Sequence, residues 1–577
     1  MILSPQEKIR DCTARGWWGT DTLDAMFRRN VAAVPDREAV VDAPNRASIT
    51  DGAPRRLTYR ELDDEVTALA ARLLAAGVGT DDIVAMQVPN IVEAVMTVLA
   101  TARIGAIASP IGVQYRENEL LHIFGVLKPK AFVTMCRIGT YNPAKTVDAM
   151  RGQAVPGTIL AWGSDSPAGA VRLDDLVTDG KVASEAAGRV GAHEALNPID
   201  ANGIVTICWT SGTESRPKGV PRSHNHWIAI ARMVATMAGM QDGERILNPF
   251  PVINMASIGG CLVPWLLRRG TMVMHHPFDL KIFLAQVADE RINYNLAPPA
   301  ILNMLIKQPE LWADLDFSNL RAVCSGSAPL APWMLKAWQE DYGVNVINYF
   351  GSNEGCGLVS SAVDVPDPDQ RARYFARFGA KGFSWSCDDV LALETRLVDP
   401  VSGQTITEPD IEGELRIRGG TVFDGYFGDD ELNRNAFDEE GYFRTGDMFA
   451  IASDERGPRF YRFVGRLKEI IIRGGQNISP AEIESLIDGH PKIAEAAVVG
   501  LPDEMMGERV CAVIVPRNGA DVSLEEIVSY LKERHVAIYK WPERIATVEA
   551  LPRNQVGKVV RADLREMILR AGAREGS

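Results

Sequence analysis

Residues 210–220 read Thr-Ser-Gly-Thr-Glu-Ser-Arg-Pro-Lys-Gly-Val, residue types suited to holding a phosphate. Hydroxyls and free backbone N–H groups can point at an anion, glycine lets the backbone come close, and Lys218 adds charge. An apolar run, Ile204-Val205-Thr206-Ile207-Cys208-Trp209, precedes the loop and predicts a buried strand feeding it. The spacing is not Gly-x-x-x-x-Gly-Lys-Ser/Thr, so the ordinary P-loop reading is poor. Taken alone, the loop could also be a plain Gly/Ser surface turn.

Companion segments follow in order over more than 300 residues. They are Asn348-Tyr349-Phe350-Gly351-Ser352-Asn353-Glu354-Gly355, then Gly413-Glu414-Leu415 through Gly425-Tyr426, and Phe443-Arg444-Thr445-Gly446-Asp447. Next come Gly465-Arg466-Leu467-Lys468-Glu469 with Gly474-Gly475-Gln476-Asn477-Ile478-Ser479-Pro480, and finally Leu551-Pro552-Arg553-Asn554-Gln555-Val556-Gly557-Lys558. Six motifs in this order resemble the adenylate-forming superfamily, which includes acyl-CoA synthetases, luciferases and peptide-synthetase adenylation domains, and bacterial carboxylate–CoA ligases above all. The resemblance covers about residues 20–570.

The resemblance implies ATP, Mg2+ and coenzyme A as the small molecules handled, beside a carboxylic acid. Thr210, Ser211, Gly212, Thr213 and Lys218 would embrace the pyrophosphate. Glu354, with Thr210, would hold Mg2+, a hard cation suited to oxygen ligands. Ser327, Asn348, Tyr349, Phe350, Gly351 and Asn353 would border the nucleotide, with Phe350 offering a flat face to adenine. Asp447 could accept both ribose hydroxyls, and Arg466 would support the ribose. Lys558 would bring a mobile ammonium to the α-phosphate and the carboxylate, and Gly474-Gly475 would floor the pantetheine passage. Glu354, Lys558, Thr210 and Lys218 are thus the expected catalytic set. The family often has a histidine just after the phosphate loop, where His224 falls; His224 and His226 read equally well as satisfied structural histidines.

Two departures stand out. Asn353 replaces the usual threonine, which implies a different phosphate contact. Asn254, in Pro251-Val252-Ile253-Asn254, stands where many relatives carry a histidine or an aromatic. The acyl pocket is implied to lie along 254–260, 325–329, Tyr349 and 355–357, with Asn254, Met255, Gly259, Ser325, Gly326, Ser327, Gly355 and Cys356 as candidates. These segments carry no lysine or arginine and many small residues. They predict a roomy apolar pocket for a bulky acid: alicyclic, aromatic, medium-chain or a steroid side-chain acid. Close backbone packing is the competing explanation for the glycines.

The elements that must position these residues alternate strand and helix. Leu57–Tyr59 predicts a short strand, Arg60–Ala76 an amphipathic helix closed by Gly77, Ile83–Val88 a strand, Ile91–Ile104 a helix and Ala106–Ala108 a strand. The rhythm recurs at 246–247, 271–274, 294–296 and 321–324, which implies an α/β fold with parallel sheets covered by helices. Residues 363–380 are polar and predict a surface excursion. Beyond about 465 a small α+β unit is predicted, with elements at 469–472, 480–487, 496–499, 510–515 and 524–534. The division is therefore 1–467 for ATP and acid and 468–577 as a mobile domain, with the hinge at Lys468.

Composition bounds the partners. The chain has 577 residues and a net charge of −14, which argues against a general nucleic-acid binder. Eight scattered cysteines without a C-x-x-C pair make a zinc site unlikely on spacing and fit a reducing cytoplasm. No transmembrane run or signal core is expected; a homodimer stays open. The leading reading is an ATP-dependent carboxylate–CoA ligase. An enzyme loading a carrier protein remains an alternative, since Gly16-Trp17-Trp18 is reminiscent of that group. A luciferase-like oxygenase and an inactive nucleotide-binding scaffold complete the alternatives.

Overall fold

Thr58 caps the helix Tyr59–Ala75 through a reciprocal capping box with Glu61, and Gly77 follows at φ +81°. Leu62, Val66, Leu69 and Leu73 on one face are fully buried. The strand Ile83–Gln87 is buried along its whole length, as a central parallel strand requires. Helix Val92–Arg103 is buried all round; its Arg103 is paired with Asp24 and Asp63, and its Glu93 with Arg46. The computed structural model describes residues 1–577 except 154, 177–179, 211–216, 327, 379, 381, 386–391, 474–475, 504, 535, 537, 554–557 and 576–577, and leaves aside the side chains of 180–182, 356, 476–477, 518 and 571–575.

Ile83–Gln87 lies in a seven-stranded sheet that is parallel up to Ile204–Thr210, where Lys218–Ser223 turns back antiparallel along the edge. An eight-stranded sheet holds Arg245–Asn248, Thr271–Met274, Tyr294–Leu296, Ala322–Gly326 and Asn345–Gly351 as parallel neighbours, with antiparallel strands at both edges. Helices Tyr59–Ala75, Val92–Arg103 and His224–Met237 share one apolar core with the facing sides of these two sheets. A third sheet of six antiparallel strands carries Glu412–Gly419, Phe443–Asp454 and Gly457–Arg466.

The described residues of 471–575 form a five-stranded sheet and three α-helices with apolar clusters of their own. Its long strands Ile493–Asp503 and Gly507–Pro516 pair antiparallel. The expected surface excursion at 363–380 needs correcting. Pro368–Arg373 is a helix, and Tyr374–Ala376 is a strand of the six-stranded sheet. Arg371 is fully buried and donates to the carbonyls of Val346, Val365 and Pro366. Polar composition misleads here because carbonyl oxygens absorb the guanidinium's donors. Among the described residues no helix is long and apolar enough to cross a membrane.

Candidate active site

Strands Ile204–Thr210 and Lys218–Ser223 place Thr210 directly opposite Lys218 at the base of the hairpin. Ser211, Gly212 and Thr213 lie outside the described residues. The Lys218 ammonium sits 5.2 Å over the ring of Tyr426. Tyr426 in turn donates its hydroxyl to Glu354 Oε1 at 3.0 Å. Burial and the Glu354 charge push the Tyr426 phenol well above its usual range, so the hydroxyl stays a donor. Glu354 is also fixed through its backbone: its carbonyl accepts from Phe423 N at 2.9 Å, and the neighbouring Gly355 bridges to Val422. The hairpin base, Tyr426 and Glu354 therefore form one unit.

A shallow cleft opens beside it, lined by Phe350, Ser352, Gly355, Gly357, Leu358, Leu415, Ile417, Thr445 and Asp447. Phe350 lines this cleft while packing against Phe449, Phe463 and Phe375 at 5.0, 6.0 and 6.2 Å between ring centres. Asp447 and Arg466 face each other across paired strands, with Arg466 Nε 3.4 Å from Asp447 Oδ1. Burial raises the Asp447 carboxyl to about 6, against the opposing pull of Arg466 and Lys558. Lys558 is half-buried, and burial and the Arg466 charge lower its ammonium, while Asp447, Glu469 and Glu354 hold it up. A lysine at the C-terminal end of the chain thus belongs to the same electrostatic cluster as Asp447, Arg466 and Glu354.

Asn353 supplies a link that the motif alone did not suggest. Its amide nitrogen donates to Trp209 O at 3.2 Å, one residue before Thr210, and its Oδ1 accepts from Met255 N at 2.8 Å. Both halves of the carboxamide are thus engaged by backbone, and Asn353 braces the end of strand Ile204–Thr210 against the start of helix Met255–Ser257. Asn348 is buried and donates to the carbonyls of Arg371 and Ala372. Asn254 caps the short helix Met255–Ser257 by accepting from Ser257 N at 3.2 Å. His224 is a structural residue: its Nδ1 accepts from Leu23 N at 3.1 Å, and burial lowers its imidazole to about 3. His226 is fully buried, accepts from Ser223 N at Nδ1 and is likewise kept neutral by burial.

The expected acyl segments converge, but their glycines do not leave open space. A Cβ on Gly326 would lie 2.1 Å from Tyr349 O on the next strand. One on Gly259 would meet Ile230, Met255 and Trp227 at 2.9–3.3 Å, and one on Gly355 would meet Ile417 at 2.6 Å. The Ser325 hydroxyl donates to Ala297 O. Close packing therefore accounts for these small residues, and the prediction of a roomy pocket from their size is corrected. The surroundings are nonetheless apolar: Trp227, Ile230, Met233, Met255, Leu296 and Cys324 belong to the shared core. A π-helical turn at Ile258–Leu262 interrupts the helical run there, a feature frequent at functional sites. Ser327, the Cys356 side chain, Gly474 and Gly475 lie outside the described residues.

Sequence reasoning missed Arg222, which is fully buried and donates to the carbonyls of Asn353 and Thr421. An arginine inside the strand Lys218–Ser223, two residues after an apolar valine, was the available signal. Among the described residues no group of three or more His, Cys, Asp or Glu side chains could hold a metal ion unaided.

Comparison with known proteins agrees with this arrangement. Residues 27–427 match the model of the AMP-binding enzyme family, and residues 482–558 match that of the AMP-binding enzyme C-terminal domain. The medium-chain fatty-acid–CoA ligase of Escherichia coli is 31% identical over 96% of this chain and 92% of its own length. The indoleacetate–CoA ligase of Aromatoleum aromaticum is 31% identical over 89% of this chain and 94% of its own. Among solved structures, ATP-bound MatB from Rhodopseudomonas palustris aligns with a TM-score of 0.74 at 26% identity, covering 95% of this chain and 99% of that one.

Proposed function

The chain belongs to the AMP-binding enzyme family, and we propose that it activates a bulky hydrophobic carboxylic acid, by way of its acyl-adenylate, for transfer to coenzyme A. The family match and the CoA-ligase relatives make it an AMP-forming acid–thiol ligase that uses ATP and CoA. The observation that carries the mechanism is Lys558 lying in one charge cluster with Asp447, Arg466 and Glu354.

In the first step an oxygen of the acid carboxylate attacks the α-phosphorus of ATP. The acid–phosphate bond forms, the bond to the β-phosphate breaks, and pyrophosphate leaves. Negative charge crowds the reacting centre, so preorganised cations matter most. Lys558 would neutralise the α-phosphate and the incoming carboxylate, and Lys218 with Thr210 and the 211–213 tip would hold the departing pyrophosphate. Asp447 would accept the ribose hydroxyls while Arg466 keeps it ionised. Glu354 and Thr210 would hold Mg2+. A lone carboxylate suits this ion, which usually keeps phosphate and water oxygens around one or two protein carboxylates, and which supplies charge neutralisation on the phosphates. In the second step the CoA thiolate attacks the acyl carbonyl and AMP leaves with the bonding pair. We place a hinge at Lys468, at the boundary between 1–467 and 468–577. Rotation there would withdraw Lys558 and bring Gly474-Gly475 to floor the thiol's approach.

The substrate class rests on the apolar face of helix His224–Met237 and the absence of lysine and arginine from 254–260 and 325–329. Names of relatives that act on a medium-chain fatty acid and on indoleacetate support it. A cytoplasmic location is part of the same reading, and the oligomeric state stays open. The test is a trapping experiment. Without CoA, mass spectrometry should find enzyme-bound acyl-adenylate; added CoA should convert it to thioester, whereas carrier protein should not. Thioester formation from carrier protein alone would move the acceptor away from CoA.

A further inference from the structure

Lys8, on the first helix of the chain, Gln6–Ala14, reaches residues in the last third of the sequence. Lys8 Nζ donates to Asp424 Oδ1 at 2.5 Å and to Val422 O at 2.8 Å. Ser4 Oγ donates to Asp424 Oδ2 at 2.5 Å, and Trp18 Nε1 to Gly420 O at 3.0 Å. The Lys8 ammonium also lies 5.5 Å from the Trp18 ring centre. The Asp424 side chain is only 6% exposed. A buried ion pair recovers little stability after desolvation, but it specifies one arrangement of the segments it joins.

The gripped segment is the one that holds Glu354. Val422 bridges to Gly355, Phe423 N donates to Glu354 O at 2.9 Å, and Tyr426 Oη donates to Glu354 Oε1 at 3.0 Å. Arg222 Nη1 adds a 2.7 Å bond to Thr421 O, and its Nε a 2.9 Å bond to Asn353 O. Residues 421–426 therefore fix Glu354 by main chain and side chain, and Ser4, Lys8 and Trp18 fix that segment from its other side. We propose that Lys8 and Asp424 are positioning residues that set the Glu354 carboxylate for the metal–nucleotide complex. None of them touches the reacting atoms. The inference rests on the proposed role of Glu354 as the Mg2+ ligand.

The test compares Lys8→Met, Lys8→Arg and Ser4→Ala with the parent, using full-length protein. Calorimetry reads MgATP binding, pyrophosphate exchange reads the Mg2+ requirement, and thioester formation from supplied acyl-adenylate reads the second step. Lys8→Met should weaken MgATP binding about tenfold, the lower end of what loss of a metal ligand's supporting partner costs. It should raise the Mg2+ requirement and leave the thioester step within about twofold, and Lys8→Arg should recover most of the loss. If Lys8→Met does not fold, Ser4→Ala removes a single hydrogen bond and should shift MgATP binding in the same direction. Unchanged MgATP binding in the folded variants, or equal losses in both steps tracking a lower melting temperature, overturns the proposal. Glu354→Gln separates the two levels. If it raises the Mg2+ requirement while Lys8→Met behaves as parent, the positioning role alone falls; if it leaves the Mg2+ requirement unchanged, the Glu354 reading falls and takes the proposal with it.

Discussion

Asn353→Ala should loosen both substrate sites at once. The carboxamide spans Trp209 O at 3.2 Å and Met255 N at 2.8 Å, so one truncation frees the strand end before Thr210 and the start of the 255–257 helix. Each hydrogen bond contributes about 0.5–1.5 kcal/mol net, and a buried group left without a partner costs more. The combined loss is therefore about 1–3 kcal/mol, or roughly five- to 150-fold when read as binding. Steady-state kinetics should show KM rising for ATP and for the acid together, with a melting temperature lower by a few degrees. Asn353→Thr, the residue the family pattern favours, keeps one oxygen that can bond to one of the two loops and should fall between. A lower melting temperature with both KM values unchanged would reduce Asn353 to scaffold and refute the linkage. An increase in one KM alone would refute the claim that it couples two loops.

Further outcomes follow from the same geometry. Lys558→Ala should slow adenylation by about 10²-fold or more, the scale for one preorganised charge, while thioester formation from supplied acyl-adenylate survives; parallel loss of both steps would contradict this. Asp447, raised to about 6 by burial, should lose its ribose-binding carboxylate as pH falls through that value, so KM for ATP should rise below about pH 6 and the inflection should vanish in Asp447→Asn. Its effect on stability has the opposite sign. With the folded value above the unfolded one of about 3.9, its contribution is present at low pH and is lost as pH rises through about 6, visible as a change in urea midpoint between parent and Asp447→Asn. Gly326→Ala should destabilise by about 3 kcal/mol or more in urea unfolding, because its Cβ would meet Tyr349 O at 2.1 Å; a loss below about 1 kcal/mol would restore the view that Gly326 makes room for substrate.

Much of the frame was legible because period and local signals agree. Gly77 marks one helix end, and the apolar spacing before it belongs to no other element; the capping box of Thr58 and Glu61 at the start went unread. The strands at 271–274 and 294–296 stand where the apolar runs place them. What stayed hidden was contact across hundreds of residues. Nothing near Lys8 or Asp424 signals that they pair, and Arg371 in a polar stretch gives no hint that three carbonyls await it. Small residues were ambiguous for a plain steric reason. A glycine that admits a ligand and one that admits a neighbouring strand look alike until the neighbour is placed, as Tyr349 is against Gly326. Asn353 was noticed as a departure, but its two backbone partners lie 144 and 98 positions away.

The central claim, CoA ligation of a bulky apolar acid through an adenylate, is tested most directly by pyrophosphate release across a panel of carboxylic acids with and without CoA. The account predicts that medium-chain, aromatic or alicyclic acids give higher kcat/KM than acetate. It also predicts that each turnover with CoA yields one AMP, one pyrophosphate and one acyl-CoA. Preference for acetate would contradict the substrate class, and pyrophosphate release that continues without any CoA thioester forming would contradict the ligase.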